Sequence, residues 1–437
     1  MKSVRIKKVD RALRGELLFP GDKSLTHRAI IFGSLAQGLS MFTNILPAED
    51  CVRTRKAFES LGVEIKADSP TSLNIFGKGL HALKAPLKEI DLGNSGTAMR
   101  LLLGVLAGNS FQATLTGDPS LSCRPMGRVT DYIRKMGATV EGKENANFAP
   151  ITVKGADLKG IDIQLPVASA QVKSALLLAG LYAHGRTRVT EPVKSRNHTE
   201  KFLNYFGAKI KEDGLSVTIH GPQELTAKSF EIAGDISSAA FMMAASILMP
   251  GSDVHFRSVL WNPTRTGIVS VLSRMGVLFQ ISATRELGPE PVADFSLRST
   301  DLKSFEIKKA ELPSLIDEVP ILTVLATQAN GVSIVRDADE LRVKETDRIH
   351  SMATMLSRMG AKIKVEGHSL FIQGPTPLHG ARVDSFKDHR TAMSLTVAGM
   401  IAKGETIVED VECVDTSFPN FFELLEKCGA AIEVDRL

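Results

Sequence analysis

GDKSLTHR, residues 21–28, lies between two apolar segments and sets a plan that recurs along the whole chain. The residues before it, 17–20, predict a strand, and the residues after it, 29–35, predict a buried helix. Lys23 and Arg28 therefore fall on the first turns of a helix, where unpaired N–H groups and the helix dipole already favour anions. The stretch predicts an anion site, although a single polar turn with a Ser cap would look the same.

Five later segments follow the same plan, with a polar turn that leads into a small, apolar helix. After residues 21–24, the turns are GNSGTAMR (93–100), ASAQVK (168–173), GDISS (234–238), SLIDE (314–318) and DHRTAM (388–393). The six helices are each predicted to end at a glycine: Gly38, Gly108, Gly185, Gly251, Gly331 and Gly404. Helices that are apolar all round must be enclosed by protein.

A second helix recurs out of phase with the first and ends in an apolar residue and a glycine before a strand. The first copy is RKAFESLG, residues 55–62, and the copies lie about 70 residues apart, as in repeat proteins. We predict a left-handed glycine at each helix end, because only glycine adopts that conformation at no steric cost. The six positions are Gly62, Gly137, Gly207, Gly276, Gly360 and Gly429.

These twelve matched elements predict an α/β (α+β) protein of six units, each with mixed strands and two helices. Three units form a compact domain of about 210 residues, so two similar domains use up the chain. The predicted N-terminal-half domain is 20–234, and the discontinuous C-terminal-half domain is 1–19 plus 235–437. The first strand, within 3–18, is expected to pair with the last unit. The six polar turns would then face one cleft between the domains.

Composition excludes several classes of protein. The chain has 437 residues, 43% of them hydrophobic, and a net charge of only +4, which disfavours non-specific nucleic-acid binding. One Trp and three Tyr are too few for base-stacking platforms. The four cysteines form no CxxC pair, which predicts reduced thiols, a cytoplasmic location and no zinc site. The basic N-terminus lacks an apolar region behind it, so no signal peptide is expected.

Cationic and polar residues are concentrated in the turns and in a few further motifs. In the first half these candidates are Lys23, Ser24, Arg28, Asn94, Arg100, Arg124, Arg128, Ser169, Gln171, Lys173 and Arg196. In the second half they are Asp235, Arg265, Asp317, Lys344, Glu345, Arg348, His389 and Arg390. Arg and Lys bind phosphate and carboxylate, so one or two small polyanionic substrates are expected. Asp317 and Glu345 lie among these cations and are candidates for general acid/base chemistry.

The order and spacing of the motifs resemble those of the 5-enolpyruvylshikimate-3-phosphate synthase family over essentially the whole chain. The motifs are GDKSLTHR, LGNSGTAMR, RPMGR, SAQVKSA, the turn that ends at Asp317, RVKETDR, DHRTAM and TSFPNF. The resemblance implies two similar domains, each of three βαβαββ units with buried helices, in an inside-out α/β barrel. It also implies that the domains are hinged around a central cleft.

The resemblance further implies a reaction. The enolpyruvyl group of phosphoenolpyruvate is transferred to the 5-hydroxyl of shikimate 3-phosphate, through a tetrahedral intermediate, and phosphate is released. This step belongs to the shikimate pathway, which leads to chorismate and the aromatic amino acids. No metal or organic cofactor is expected, and the family pattern implies a cytoplasmic monomer. Glyphosate is expected to inhibit through the phosphoenolpyruvate site, since Gly96 is typical of sensitive members, although 196–200 resembles the tolerant branch.

Site residues carry over from the matching motifs. The residues implied for shikimate 3-phosphate are Lys23, Ser24, Arg28, Ser169, Gln171, Arg196, Asp317 and Lys344. Those implied for phosphoenolpyruvate are Lys23, Gly96, Arg124, Gln171, Arg348 and Arg390. The implied catalytic residues are Asp317, Glu345 and Lys23. The chain departs from the pattern at Thr416, near which many members carry a lysine.

Three alternatives remain open at this point. The related enolpyruvyl transferase that acts on UDP-N-acetylglucosamine has a cysteine five residues before its Arg-Pro pair, whereas this chain has Pro119 there and Cys123 directly before Arg124. A non-catalytic anion-binding module would not need Asp317 and Glu345. The RNA phosphate cyclase group has a related fold, but the missing aromatic residues disfavour it.

Overall fold

The computed structural model describes residues 2–298, 301–430 and 432–435. Its contacts divide the chain into two compact units. The N-terminal unit consists of Gly21–Ala233 and Leu287–Glu290. The C-terminal unit consists of Met1–Pro20, Gly234–Glu286 and Pro291–Leu437. The short segment Leu287–Glu290 belongs to the N-terminal unit, although it joins two strands of the C-terminal unit and includes one end residue of each. The sequence did not indicate this.

The elements alternate along the chain. The strands are β1 (Ser3–Lys7), β2 (Arg14–Leu18), β3 (Gln37–Thr43), β4 (Glu64–Ser69), β5 (Ser72–Lys78), β6 (Ile90–Asp91), β7 (Gln112–Thr116), β8 (Thr139–Gly142), β9 (Phe148–Lys154), β10 (Asp162–Gln164), β11 (Gly185–Thr190), β12 (Ile210–Asp213), β13 (Ser216–Gly221), β14 (Phe230–Glu231), β15 (Asp253–Leu260), β16 (Leu278–Leu287), β17 (Glu290–Arg298), β18 (Glu306–Ile307), β19 (Gly331–Val335), β20 (Lys362–Glu366), β21 (Ser369–Gly374), β22 (Arg382–Asp384), β23 (Glu405–Glu409) and β24 (Ile432–Asp435).

The helices are α1 (Lys23–Leu35), α2 (Glu49–Ser60), α3 (Gly96–Ala107), α4 (Pro119–Ser122), α5 (Gly127–Met136), α6 (Lys143–Ala146), α7 (Ala170–Gly180), α8 (His198–Tyr205), α9 (Ile236–Leu248), α10 (Gly267–Arg274), α11 (Val319–Ala326), α12 (Arg348–Arg358), α13 (His389–Ile401) and α14 (Phe421–Lys427). Four 3-10 segments cover Lys309–Ser314, Ile316–Glu318, Asp339–Val343 and Val411–Thr416. In the described ranges, none of the helices combines the length and the apolar character needed to cross a membrane.

The strands form six four-stranded sheets that share one pattern. In the sheet β6-β7-β9-β8, the first pair is parallel and the other two pairs are antiparallel. Together with α3 and α5, these strands make one βαβαββ unit, as the family resemblance implied. The sheets β10-β11-β13-β12 and β18-β19-β21-β20 repeat this order. Within the described residues the sheets are separate, and their strands do not close into one continuous barrel.

The other three sheets are completed by strands from distant parts of the chain. β14 pairs in parallel with β3 and so supplies the first strand of the first unit. β1 pairs with β23 and β24, which confirms that the N-terminal strand joins the last unit. The expectation was wrong for residues 14–18, because β2 instead pairs in parallel with β15 of the fourth unit.

The six helices that follow the polar turns are buried almost completely, as their composition predicted. In α9, for example, all residues from Ile236 to Ile247 are buried. Small residues allow these helices to pack closely: a methyl group on Gly104 of α3 would lie 2.1 Å from the carbonyl oxygen of Ala175 in α7. Backbone therefore meets backbone at this point, and a larger residue has no room.

The glycine predictions differ in outcome. Gly62, Gly137, Gly207, Gly276, Gly360 and Gly429 all have positive φ, from +88° to +119°, which confirms the left-handed helix ends. Of the glycines predicted to end the six buried helices, Gly108 does so, because it directly follows α3. The other five lie beyond the ends of their helices. α7, for example, ends at Gly180, whereas Gly185 begins β11. In that series Gly108 has a φ of −91° and is not left-handed.

Candidate active site

The polar turns start their helices through side-chain caps. Asp22 accepts a hydrogen bond from the Leu25 N–H at 2.9 Å, and Asp388 accepts one from the Arg390 N–H at 2.8 Å. Three more helices are capped in the same way, by Ser95, Ser169 and Asp235. The sixth helix, α11, begins directly after the 3-10 segment Ile316–Glu318. Because each cap uses the side chain of one residue, the side chains of the following residues can make other contacts.

Lys23 is the first residue of α1, as predicted, and it is paired within the N-terminal unit. Its Nζ lies 3.2 Å from Oδ2 of Asp50 on α2, and the two side chains are 19% and 14% exposed. The pairing fixes the ammonium group at the start of the helix. Asp50 was missed by the sequence analysis, because no local pattern distinguishes it from any other acidic residue in the first turn of a helix.

Arg28 lies one turn further along α1 and is buried. Its guanidinium donates to the Thr199 hydroxyl at 2.8 Å and to the Ser174 hydroxyl at 2.9 Å, and also to the Ser24 carbonyl oxygen at 2.9 Å. Burial lowers the pKa of Arg28 to about 10, while nearby carboxylates, led by Glu200, oppose this effect. The group therefore remains a cation at neutral pH, in a fixed orientation.

Gly96 begins α3 and lies beside two guanidinium groups. A methyl group at this position would lie 3.4 Å from a terminal nitrogen of Arg100 and 3.4 Å from one of Arg124. Arg124 donates to the side-chain oxygen of Asn94 at 2.5 Å, and Arg100 donates to the side-chain oxygen of Gln171. The structure thus brings together two predicted phosphoenolpyruvate residues, Gly96 and Arg124, with Gln171 one hydrogen bond away.

Arg348 organises the site residues of the C-terminal unit. It is the first residue of α12 and is only 2% exposed. Its guanidinium donates to Asp388 at 2.9 Å, to Asp317 at 3.2 Å and to Glu345 at 2.6 Å. Burial alone would lower the pKa of Arg348, but these three carboxylates outweigh it and raise the pKa. The predicted catalytic residues Asp317 and Glu345 are therefore held by one cation.

Arg390 and Lys344 lie next to this group in different ways. The Nε of Arg390 lies 3.7 Å from Oδ1 of Asp317, so Asp317 faces two guanidinium groups. Lys344 follows the 3-10 segment Asp339–Val343, four residues before Arg348. Asp388 was not among the predicted site residues. The DHRTAM turn contained it, but only the fold shows that it both caps α13 and orients Arg348.

Two other predicted cations lie in different surroundings. Lys173 is buried between the carboxylates of Glu191 and Glu200, which are themselves buried. Arg265 is 2% exposed and donates to Asp235 at 3.2 Å. Among the described residues, no group of three or more His, Cys, Asp or Glu side chains is placed to hold a metal ion.

Comparison with known proteins identifies the family of this chain. A family model described as EPSP synthase (3-phosphoshikimate 1-carboxyvinyltransferase) matches residues 7–425. This chain belongs to the EPSP synthase family. It is 45% identical to the 3-phosphoshikimate 1-carboxyvinyltransferase of Bacillus thuringiensis subsp. konkukian (strain 97-27), over 98% of this chain and 99% of that protein. It is 50% identical to that of Desulforudis audaxviator (strain MP104C), over 95% of this chain and 97% of that protein.

A solved structure of a family member has the same fold. The EPSP synthase of Acinetobacter baumannii is 40% identical, with a TM-score of 0.90 and complete coverage of both chains. The two similar domains of βαβαββ units implied by the motifs are therefore confirmed.

His27 lies inside the family motif GDKSLTHR, and the sequence pattern indicates no role for it. It is fully buried, and its Nδ1 lies 2.7 Å from the Thr54 hydroxyl, while its Nε2 has no hydrogen-bond partner. Burial lowers the pKa of His27 to about 4; Asp50 opposes this, and Lys23 contributes to it. A proton on Nε2 would be buried beside cations with no acceptor, so His27 stays neutral in the folded protein.

We expect His27 to make the N-terminal unit sensitive to acid. Its pKa is about 4 when folded and 6.5 when unfolded, so the unfolded chain binds the proton more tightly. The stability is complete above pH 6.5 and is lost as the pH falls towards 4. Between pH 7 and 5, wild type should lose about 2 kcal/mol more unfolding free energy than His27→Asn.

Urea unfolding at the two pH values measures this difference. His184→Asn is the control, because His184 is an exposed histidine whose ring lies 3.0 Å from Asp157. That variant should lose as much stability as wild type. An equal loss in wild type and His27→Asn would contradict the buried, neutral state of His27.

Proposed function

We propose that this protein transfers the enolpyruvyl group of phosphoenolpyruvate to the 5-hydroxyl of shikimate 3-phosphate and releases phosphate. The observation that carries the proposal is the arrangement of Asp317 and Glu345 on the buried guanidinium of Arg348, with Arg390 beside Asp317. Two carboxylates held among cations suit proton transfer to and from anionic substrates. Family membership supplies the identity of those substrates.

The proposed site residues form two sets, one for each substrate, which share Lys23 and Gln171. For shikimate 3-phosphate we propose Lys23, Ser24, Arg28, Ser169, Gln171, Arg196, Asp317 and Lys344. For phosphoenolpyruvate we propose Lys23, Gly96, Arg124, Gln171, Arg348 and Arg390, with Gly96 acting through its backbone. The helix N-termini at Lys23, Gly96 and Ala170 support the binding of anions here, because each adds backbone N–H donors to the side-chain charges.

The chemistry needs one addition and one elimination, each across C2 and C3 of phosphoenolpyruvate. The 5-hydroxyl oxygen forms a bond to C2 of phosphoenolpyruvate, its proton passes to Asp317, and C3 gains a proton. The tetrahedral intermediate then loses phosphate from C2, and a proton leaves C3 to restore the double bond. Glu345 and Lys23 move the protons at C3 and at the leaving phosphate. Arg348 keeps Asp317 and Glu345 in place, and Asp50 does the same for Lys23.

The remaining features of the proposal concern the working state. We propose that the protein acts as a cytoplasmic monomer without a metal or organic cofactor. We also propose that glyphosate competes for the phosphoenolpyruvate residues, because it carries a phosphonate and a carboxylate that the same guanidinium groups can bind.

Phosphate release from phosphoenolpyruvate tests the reaction directly. Release should require shikimate 3-phosphate and should be absent with UDP-N-acetylglucosamine. Release that depends on the nucleotide sugar instead would favour the related transferase. Binding of both substrates without any turnover would favour the non-catalytic module.

Asp317→Asn and Glu345→Gln should each lower kcat by at least about a hundredfold, the usual contribution of a general acid or base. Each amide oxygen can still accept from Arg348, so the fold should persist. The affinity for shikimate 3-phosphate should stay the same or increase, because a negative charge near an anionic ligand is removed. Steady-state kinetics and calorimetric titration measure the two quantities.

Asp339→Asn is the control for these variants. Asp339 begins the 3-10 segment that precedes Lys344, and its carboxylate lies 2.8 Å from the ammonium group of exposed Lys309, away from Arg348. It should leave kcat unchanged. Near-normal turnover in Asp317→Asn and Glu345→Gln would overturn the catalytic assignment. Lost binding with an intact fold would make both residues binding groups.

Gly96→Ala should weaken inhibition by glyphosate at least about tenfold, which corresponds to about 1.4 kcal/mol. The new methyl would lie 3.4 Å from both guanidinium groups, so it fits without displacing the backbone. It would nevertheless occupy space beside the proposed phosphoenolpyruvate site, and glyphosate has more atoms between its two anionic ends than phosphoenolpyruvate has. Inhibition curves for wild type and Gly96→Ala measure this change, and the KM for shikimate 3-phosphate serves as an internal control. Equal inhibition would refute the steric argument.

A further inference from the structure

A buried ionic cluster lies in the N-terminal unit, apart from the residues assigned to the substrates. The Nζ of Lys173 lies 2.7 Å from Oε2 of Glu191 and 2.7 Å from Oε1 of Glu200. The three side chains are 1%, 2% and 0% exposed. Two carboxylates thus share one ammonium group, without solvent to screen them. Such clusters are weak sources of stability, because desolvation offsets the attraction, so a positioning role is a natural explanation.

The cluster joins the two ends of one chain segment, 191–200. Glu191 directly follows β11, and its Oε2 also accepts a hydrogen bond from the Ser195 N–H at 3.3 Å. Glu200 lies in the first turn of α8. Lys173, on α7, therefore holds both the start and the end of the segment through one side chain. Removing the ammonium would leave two buried carboxylates that repel each other.

The segment carries groups that face the proposed substrate residues. Arg196 lies within it, one residue after Ser195. Thr199 is also part of it, and its hydroxyl accepts a hydrogen bond from Arg28 at 2.8 Å and donates one to Ser174 at 2.7 Å. Ser174 is the neighbour of Lys173 on α7. The position of the segment thus sets the orientation of Arg28 as well as the position of Arg196.

We propose that Lys173 is a positioning residue for shikimate 3-phosphate: by pairing with Glu191 and Glu200, it holds 191–200 so that Arg196 and Arg28 keep their binding positions. Lys173 does not touch the substrate in this role. The inference rests on the proposed function, which assigns Arg28 and Arg196 to shikimate 3-phosphate. It predicts an effect on one substrate, whereas a general structural role would lower stability and affect both substrates alike.

Lys173→Met is the first test. Its KM and calorimetric Kd for shikimate 3-phosphate should rise at least about tenfold, which is about 1.4 kcal/mol. The KM for phosphoenolpyruvate, measured at saturating shikimate 3-phosphate, should change less than about threefold. Lys173→Arg keeps a positive charge between the two buried carboxylates and should restore most of the affinity.

Lys194→Met is the matched control. Lys194 lies in the same segment and pairs with Glu212 at 3.1 Å, but the two side chains are 41% and 33% exposed. Its removal should change neither KM, because exposed ion pairs contribute little.

Glu200→Met provides a second test that does not depend on the folding of Lys173→Met, since it leaves a neutral pair of Lys173 and Glu191. It should raise the KM for shikimate 3-phosphate at least about fivefold, with the KM for phosphoenolpyruvate nearly constant.

The outcomes separate this inference from the proposed function. If wild type does not release phosphate with shikimate 3-phosphate, the proposed function fails. If wild type is active but folded Lys173→Met or Glu200→Met changes both KM values equally, or neither, the positioning role is wrong. Should Lys173→Met not fold, Glu200→Met alone decides.

Discussion

The enclosure of six apolar helices is the constraint on which the rest of this structure depends. Each of these helices buries nearly every residue, so its polar groups are confined to its ends. The N-terminal ends carry unpaired N–H groups, and the chain caps five of them with Asp or Ser. Cations of the proposed site, such as Lys23 and Arg390, follow these caps. Fold and site are linked because the same turns that start the buried helices also carry the cations.

Carboxylates of nearby residues neutralise those cations. Lys23 pairs with Asp50, Arg348 with three carboxylates, and Lys173 with two. Burial keeps each cation close to its carboxylate partners, because an unpaired charge away from water is costly. The result is a set of guanidinium and ammonium groups with fixed orientations. The proposed binding of two anionic substrates therefore relies on local groups of cations and not on the net charge of the chain, which is only +4.

The repeats also explain how the ends of the chain are used. Three βαβαββ units are continuous, whereas the other three need β14, β2 or β1 from a distant part of the chain. Without β14 or β2, the first or fourth sheet would expose an unpaired edge. β1 instead lies between β23 and β24 and joins them into one sheet. The sequence repeats showed six units, but the pairing of β2 with β15 instead of the last unit depended on tertiary structure.

Local chemistry determined much of this protein. The six left-handed glycines, the polar turns that start six buried helices, and the family motifs were all readable from the sequence, because each depends on residues close together in the chain. Asp50, Thr199, Asp388 and the cluster around Lys173 were not, since each pairs with a residue from another element. Many acidic residues and hydroxyls have the same local sequence context. Only the packing of distant helices and strands decides which of them meets a buried cation, because an ion pair is selected by distance in space and not by spacing in sequence.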